Sequence, residues 1–159
     1  EANNMILKNV VESLGVTRII TSPTEHPCIL ESLAYLQKHK NINVEFLPVN
    51  TLGQIDVVVL DKILSTYPEK KLATVMHGNN EIGTMINLEE VSAICAEHDT
   101  LFHCDTVQTL GKYPIDLSKT KVSFISGSAH KFHGPKGVGF VYINNENIIM
   151  NKNKKIQKK

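Results

Sequence analysis

Lys131 stands in the stretch SGSAHKFHGPKGVGFVYI, residues 126–143, between small residues and a Gly-Pro-Lys-Gly turn. Lysine ordinarily occupies open, solvated surface, so an amine set in so tight a backbone raises the question of reactivity. Shielding from water favours the neutral, nucleophilic form of a lysine, and such an amine can form a Schiff base with an aldehyde. Other clusters carry side chains that could serve it: His26 in TEHP, Asn80 in HGNNEIG, and Asp105 with Gln108 in CDTVQ. Ser126, Ser128 and His130 surround glycine and alanine, a composition that lets backbone approach a phosphate closely. Each residue also has a plainer reading. Asp105 suits the N-cap of a turn through TVQT, with Gln108 completing it. His26 suits a capping or surface position, and Asn79, Asn80 and Glu81 suit a tight polar loop. Neither GxxxxGK(S/T) nor GxGxxG occurs, so the chain carries no P-loop and no dinucleotide fingerprint.

Metal chemistry is not expected. His98, His103, Cys104 and Asp105 make a ligand-rich string, but successive strand residues face opposite ways, so His103 and Cys104 cannot easily share an ion. No spacing matches a structural zinc site. The three cysteines, Cys28, Cys95 and Cys104, are odd in number and share no CxxC. That fits a reducing compartment rather than a disulfide framework. Cys28 and Cys95 read as small thiols within apolar helix faces.

The elements that would position these residues follow from hydrophobic periodicity. A helix is expected from Ala2 to Leu14, with Met5, Ile6, Val10 and Leu14 on one face and Gly15 as stop. A strand is expected over 18–22. A helix then starts at Pro27, with Ile29, Leu30, Leu33 and Leu36 buried. Strands over 44–49, 72–77, 100–105, 122–126 and 138–143 follow. Helices over 55–66 and after Asn87, with Glu90 three residues on, lie between them. Such alternation predicts an α/β three-layer sandwich with a mostly parallel sheet. In these sheets ligands collect beyond the carboxyl ends of the strands, and four polar clusters fall on that edge. At 159 residues, 42% apolar and net charge +1, one soluble domain is expected, without nucleic-acid or membrane partners and in the cytoplasm. The run NNENIIMNKNKKIQKK reads as a lysine-rich, disordered tail over 144–159.

One chemistry needs all of these side chains at once. Pyridoxal 5'-phosphate (PLP) wants a lysine at its aldehyde, a carboxylate at its ring nitrogen and a planar group on its face. It also wants a donor at its phenolic oxygen and hydroxyls around its phosphate. Lys131, Asp105, His26, Gln108, and Ser128 with His130 supply these in turn.

The motifs TEHPCIL, MHGNNEIGTMINLEEV, HCDTVQTLGKYPIDLSK and SGSAHKFHGPKGVGFVYI resemble the cysteine desulfurases of the NifS/IscS type. These belong to the class V aminotransferase group of fold type I PLP enzymes. The resemblance runs from Glu1 to about Ile143, and GPKG favours NifS/IscS over the SufS branch. It implies that residues 1–143 are the central part of a PLP-binding large domain. It implies that Lys131 carries the cofactor, Asp105 pairs with the ring nitrogen, and His26 stacks on the ring and shuttles protons. Gln108 would reach the phenolic oxygen, Ser128 and His130 the phosphate, and Asn80 the phenolic oxygen and the substrate carboxylate. The implied reaction converts L-cysteine to L-alanine, passing sulfur to an enzyme cysteine as a persulfide. That sulfur would feed iron–sulfur cluster assembly or tRNA thiolation through a scaffold or other acceptor protein, in a homodimeric enzyme. The resemblance also implies departures. The family's phosphate-binding threonine would precede Glu1. Its persulfide cysteine and carboxylate-binding arginine lie in a C-terminal part with no counterpart here, so this chain alone is expected to be inactive. Selenocysteine lyase, a true aminotransferase and a non-catalytic remnant are the alternatives.

Overall fold

In the computed structural model, residues 1–146 and 148 are described, and they form one six-stranded sheet with helices on both faces. The order is α1 (Ala2–Glu12), β1 (Arg18–Thr21), α2 (Pro27–Lys40), β2 (Asn43–Phe46), α3 (Val57–Thr66) and β3 (Lys71–Thr74). Then come α4 (Leu88–Glu97), β4 (Leu101–Asp105), β5 (Phe124–Ser128), a single 3-10 turn (Ala129–Phe132) and β6 (Gly139–Ile143). The strands lie in the order β2-β1-β3-β4-β5-β6. Five are parallel, and β6 runs antiparallel to β5 at the edge.

Alternation along each strand divides the core in two. Ile19, Leu72, Leu101 and Phe124 face α1 and α2. Ile20, Ala73, Phe102, Cys104 and Ile125 face α3 and α4. Burying each of the large side chains contributes about 1.5–3 kcal/mol, and Phe102 is the largest of those fully enclosed. Helix starts are set by capping: Asp56 Oδ1 accepts from the N–H groups of Val58 and Val59, and Asn87 Oδ1 from that of Glu90.

Several element ends differ from the expected ones, each for a local reason. The predicted helix over 55–66 begins at Val57 because Asp56 caps it. The strand expected over 44–49 stops at Phe46, ahead of Pro48, which has no N–H to give a ladder. The strand expected over 72–77 leaves the sheet ladder after Thr74 on its β1 side. There the N–H of Met76 donates to the Glu25 carboxylate at 2.8 Å instead of to a β1 carbonyl. The strand expected over 122–126 spans Phe124–Ser128, carried two residues further by its pairing with β6. On α1 the buried residues are Asn3, Ile6, Leu7 and Val10, and Met5 is exposed.

β1 connects outward to β2 on one side, and the chain then returns to add β3, β4 and β5 on the other. The crevice between β1 and β3 is therefore the topological switch point, where such sheets hold ligands. Ordered packing also continues past Ile143. The Asn144 N–H donates to the Ser123 carbonyl, and Ile148 packs against the core on the α1–α2 face. Of the lysine-rich tail expected over 144–159, residues 147 and 149–159 lie outside the described residues.

Candidate active site

Beyond the carboxyl ends of β1, β3, β4 and β5 lies a cavity of about 510 Å³, within the range of about 300–1,000 Å³ typical of small-molecule sites. Lys131, Asp105, Gln108, His26, Asn80, Ser128 and His130 all line it. Residues from four strand ends, up to 105 positions apart in sequence, thus converge on one space.

Each is held by its own stretch of chain. His26 is the N-cap of α2, and its Nδ1 accepts the Cys28 N–H at 3.2 Å. His26 thus both caps α2 and lines the cavity. Because Nδ1 accepts, the neutral ring carries its proton on Nε2. Asp105 closes β4 and is 5% exposed. Its Oδ1 accepts the Val107 N–H at 2.9 Å and its Oδ2 the Asn3 amide at 2.7 Å. So Asp105 does cap the following turn, but Gln108 does not complete that cap and lines the cavity instead. Ser128 Oγ and His130 Nδ1 lie 2.8 Å apart, a preformed polar pair at the end of β5.

Lys131 lies in the 3-10 turn, half-buried. That turn is tied on both sides: the Ala129 N–H donates to the Val138 carbonyl, and the Gly134 N–H to the Ala129 carbonyl. His133 ends it with φ +67°, a left-handed conformation that non-glycine residues seldom adopt. At Gly134 an added Cβ would stand 2.7 Å from the Ala129 Cβ and 3.0 Å from its carbonyl oxygen. The carbonyl belongs to the backbone and cannot swing aside. Gly134→Ala is therefore expected to destabilise the chain by about 1–3 kcal/mol and to weaken ligand binding at Lys131. Thermal unfolding and cofactor titration of that variant check both effects.

Other residues from the same motifs do different work. Asn79 turns away from the cavity, donating to the Thr24 carbonyl and accepting from the N–H groups of Glu81 and Ile82. It builds the tight loop on which Asn80 is presented. Ser126 is buried beside His103, whose Nδ1 and Nε2 lie 2.8 Å from Thr74 Oγ1 and 3.2 Å from Ser126 Oγ. This polar bridge joins β3, β4 and β5 beneath the site. Burial pushes the His103 pKa down to about 3, so the ring stays neutral. Cys28 is not packed into a helix face as expected. It is exposed and lines the cavity, while Cys95 and Cys104 are buried. His103 and Cys104 face opposite cores, as alternation requires.

Three further residues at or beneath the site, Asn3, Glu25 and His77, carry signals outside those motif roles. Asn3 is a lone polar residue in the buried stripe of α1. Glu25, beside His26, is 4% exposed, and burial is the main cause lifting its pKa to about 8. The Met76 N–H opposes that rise, and the charge of Asp105 adds to it. His77 Nδ1 lies 2.9 Å from Thr109 Oγ1, a buried contact that fastens the end of β3 to the turn bearing Gln108.

A search against protein families matches residues 1–153 to the class-V aminotransferase family. The mitochondrial cysteine desulfurase of Arabidopsis thaliana is 43% identical over 145 residues, covering 90% of this chain and 31% of the plant protein. The cysteine desulfurase IscS of Dictyoglomus turgidum is also 43% identical, over 90% of this chain and 36% of its own. A NifS-like protein of known structure superposes with a TM-score of 0.83 at 41% identity, covering 90% of this chain and 40% of that one. A structure described as SspA in complex with cysteine gives 0.83 at 31% identity, covering 89% and 41%. The chain thus spans about a third of the length of the curated relatives it matches. Its mostly parallel sheet is that of the fold type I PLP enzymes. The chain belongs to the class-V aminotransferase family, as part of a large domain like that of the NifS/IscS-type cysteine desulfurases.

Proposed function

We propose that this chain is the cofactor-holding part of a PLP-dependent cysteine desulfurase, and the observation carrying that reading is the convergence of seven residues on one cavity. The donor set fits the group: an amine, a buried carboxylate with both oxygens oriented, an imidazole, amides, and a hydroxyl–imidazole pair. PLP, when bound, supplies an electrophilic aldehyde and an electron-withdrawing ring. Lys131 would hold the aldehyde. Asp105, kept nearly dry, would hold the ring nitrogen as a cation. His26, anchored through Nδ1, would lie on the ring face and exchange protons at Nε2. Gln108 would donate to the phenolic oxygen, Ser128 and His130 would bind the phosphate, and Asn80 would meet the carboxylate of the substrate.

The substrate in this reading is L-cysteine, supported by the names of the relatives and by the cysteine complex of a structural neighbour. Sulfur would pass to an enzyme cysteine as a persulfide and then to an iron–sulfur scaffold or another acceptor, within a homodimer. Burial raises all three thiols of this chain, Cys28, Cys95 and Cys104, above their ordinary pKa, so none stands as a ready thiolate for that role. We therefore place the 159-residue chain as able to hold cofactor and substrate without completing turnover. Three free cysteines suit a reducing compartment such as the cytoplasm. Relatives named mitochondrial and mitosomal show other locations for similar enzymes. No helix among the described residues is long and apolar enough to cross a membrane.

The test is to load the chain with PLP and add L-cysteine while following the bound chromophore and free alanine. A spectral change without alanine release at an enzymatic rate is expected. No spectral response to L-cysteine would remove the substrate assignment, and steady alanine release would overturn the inactivity of this chain.

A further inference from the structure

Asn3 occupies the buried face of α1, in line with Ile6, Leu7 and Val10, and is 8% exposed. Its Nδ2 donates to Asp105 Oδ2 at 2.7 Å and to Cys28 Sγ at 3.3 Å, and an amide nitrogen has two hydrogens for the two bonds. Its own Oδ1 is buried with no partner among the described residues. An orphaned buried carbonyl is a cost that an apolar residue on α1 would not carry. What the amide does accomplish is directed at the cavity, which Asn3, Cys28 and Asp105 all line. Asp105 Oδ1 is already held by the Val107 N–H. The Asn3 amide, 102 positions away in sequence, fixes the second oxygen.

We propose that Asn3 is a positioning residue, whose amide sets the rotation of the Asp105 carboxylate in the cavity and holds the Cys28 thiol beside it. The inference rests on the reading that Asp105 meets the ring nitrogen of PLP. Both Asp105 oxygens retain acceptor capacity for a cationic donor, but their plane is no longer free to turn. Alignment of this kind determines how well a carboxylate stabilises a cation.

The experiment compares the parent chain with Asn3→Leu, which keeps approximate size and removes the donor. Each is titrated with PLP by absorbance, and the bound chromophore is then titrated with pH. Asn3→Leu is expected to bind PLP about tenfold more weakly, the loss of one hydrogen bond to a charged group, with a displaced pH midpoint. Its cofactor-free Tm is expected within about 3 °C of the parent. In cofactor-free protein, alkylation of Cys28 by iodoacetamide is expected to move to higher pH, because the amide bond favours its thiolate. Unchanged affinity and midpoint in Asn3→Leu, with or without a lower Tm, would make Asn3 merely structural and overturn the inference. A parent that fails to bind PLP overturns the functional reading instead. Should Asn3→Leu not fold, Asn3→Ala removes the same donor with less bulk, and parent-like affinity and midpoint in that variant would overturn the inference.

Discussion

Lys131→Ala is expected to abolish covalent attachment of PLP while leaving the fold intact. The side chain is half-buried at the cavity wall, and among the described residues its amine enters no ion pair. Removing it therefore costs little packing and orphans no buried charge, so Tm should move by no more than about 4 °C, the equivalent of roughly 1 kcal/mol in a domain of this size. The turn that carries it is held by backbone bonds from Ala129 and Gly134, which the substitution does not touch. Asp105, Ser128 and His130, the residues proposed to hold the cofactor noncovalently, remain in place, so PLP should still bind but should wash out on dialysis. Lys131→Arg keeps the charge yet cannot supply a neutral amine, because guanidinium does not deprotonate in proteins. It should behave like the alanine variant. Absorbance before and after dialysis measures both, and a dialysis-resistant chromophore in either variant would reject the role of Lys131.

Glu25→Gln is expected to change how stability depends on pH. Folding lifts the Glu25 pKa from 4.5 to about 8, chiefly by burial, so the folded chain keeps a proton that the unfolded chain has released. Stability from this group is complete below pH 4.5 and is lost as pH climbs through 8. His103 acts in the opposite sense. Burial lowers it from 6.5 to about 3, so its contribution is complete above pH 6.5 and is lost on acidification towards 3. Between 4.5 and 6.5 the two slopes oppose each other, each at most about 1.4 kcal/mol per pH unit. Stability should therefore fall on both sides of that window. The glutamine variant keeps an acceptor for the Met76 N–H and cannot ionise. Its advantage over the parent should grow by on the order of 2–4 kcal/mol between pH 4.5 and 8. Thermal melts across that range measure it; parallel curves for the two proteins would show that Glu25 does not titrate there.

Much of this arrangement was legible in the residue order. Apolar runs bounded by polar clusters marked each strand of the sheet, and Pro27 and Asn87 marked helix starts that the structure retains. The cavity residues were legible because each ends a strand within a compact polar motif. The two sides of the sheet also followed: strand alternation puts His103 and Cys104 in different cores. What the motifs did not reveal depends on tertiary contacts. Asn3 looks like an ordinary helix residue until α1 packs beside Asp105. The apolar neighbours of Cys28 suggest a buried helix thiol, yet the N-terminal turn of α2 opens onto the cavity. Glu25 bonds Met76, 51 positions on, and that contact ends the β3 ladder earlier than its apolar run suggests. Such partners are set by sheet order, which a local pattern does not carry.

In the proposed reading, four strand ends build one PLP site around Lys131. The most direct measurement is to incubate the chain with PLP, reduce with borohydride and map the modified peptide by mass spectrometry. One stoichiometric adduct is expected, on Lys131, with a yield at limiting PLP that drops in Asp105→Ala. No adduct, or an adduct spread over other lysines with Lys131 unmodified, would contradict it.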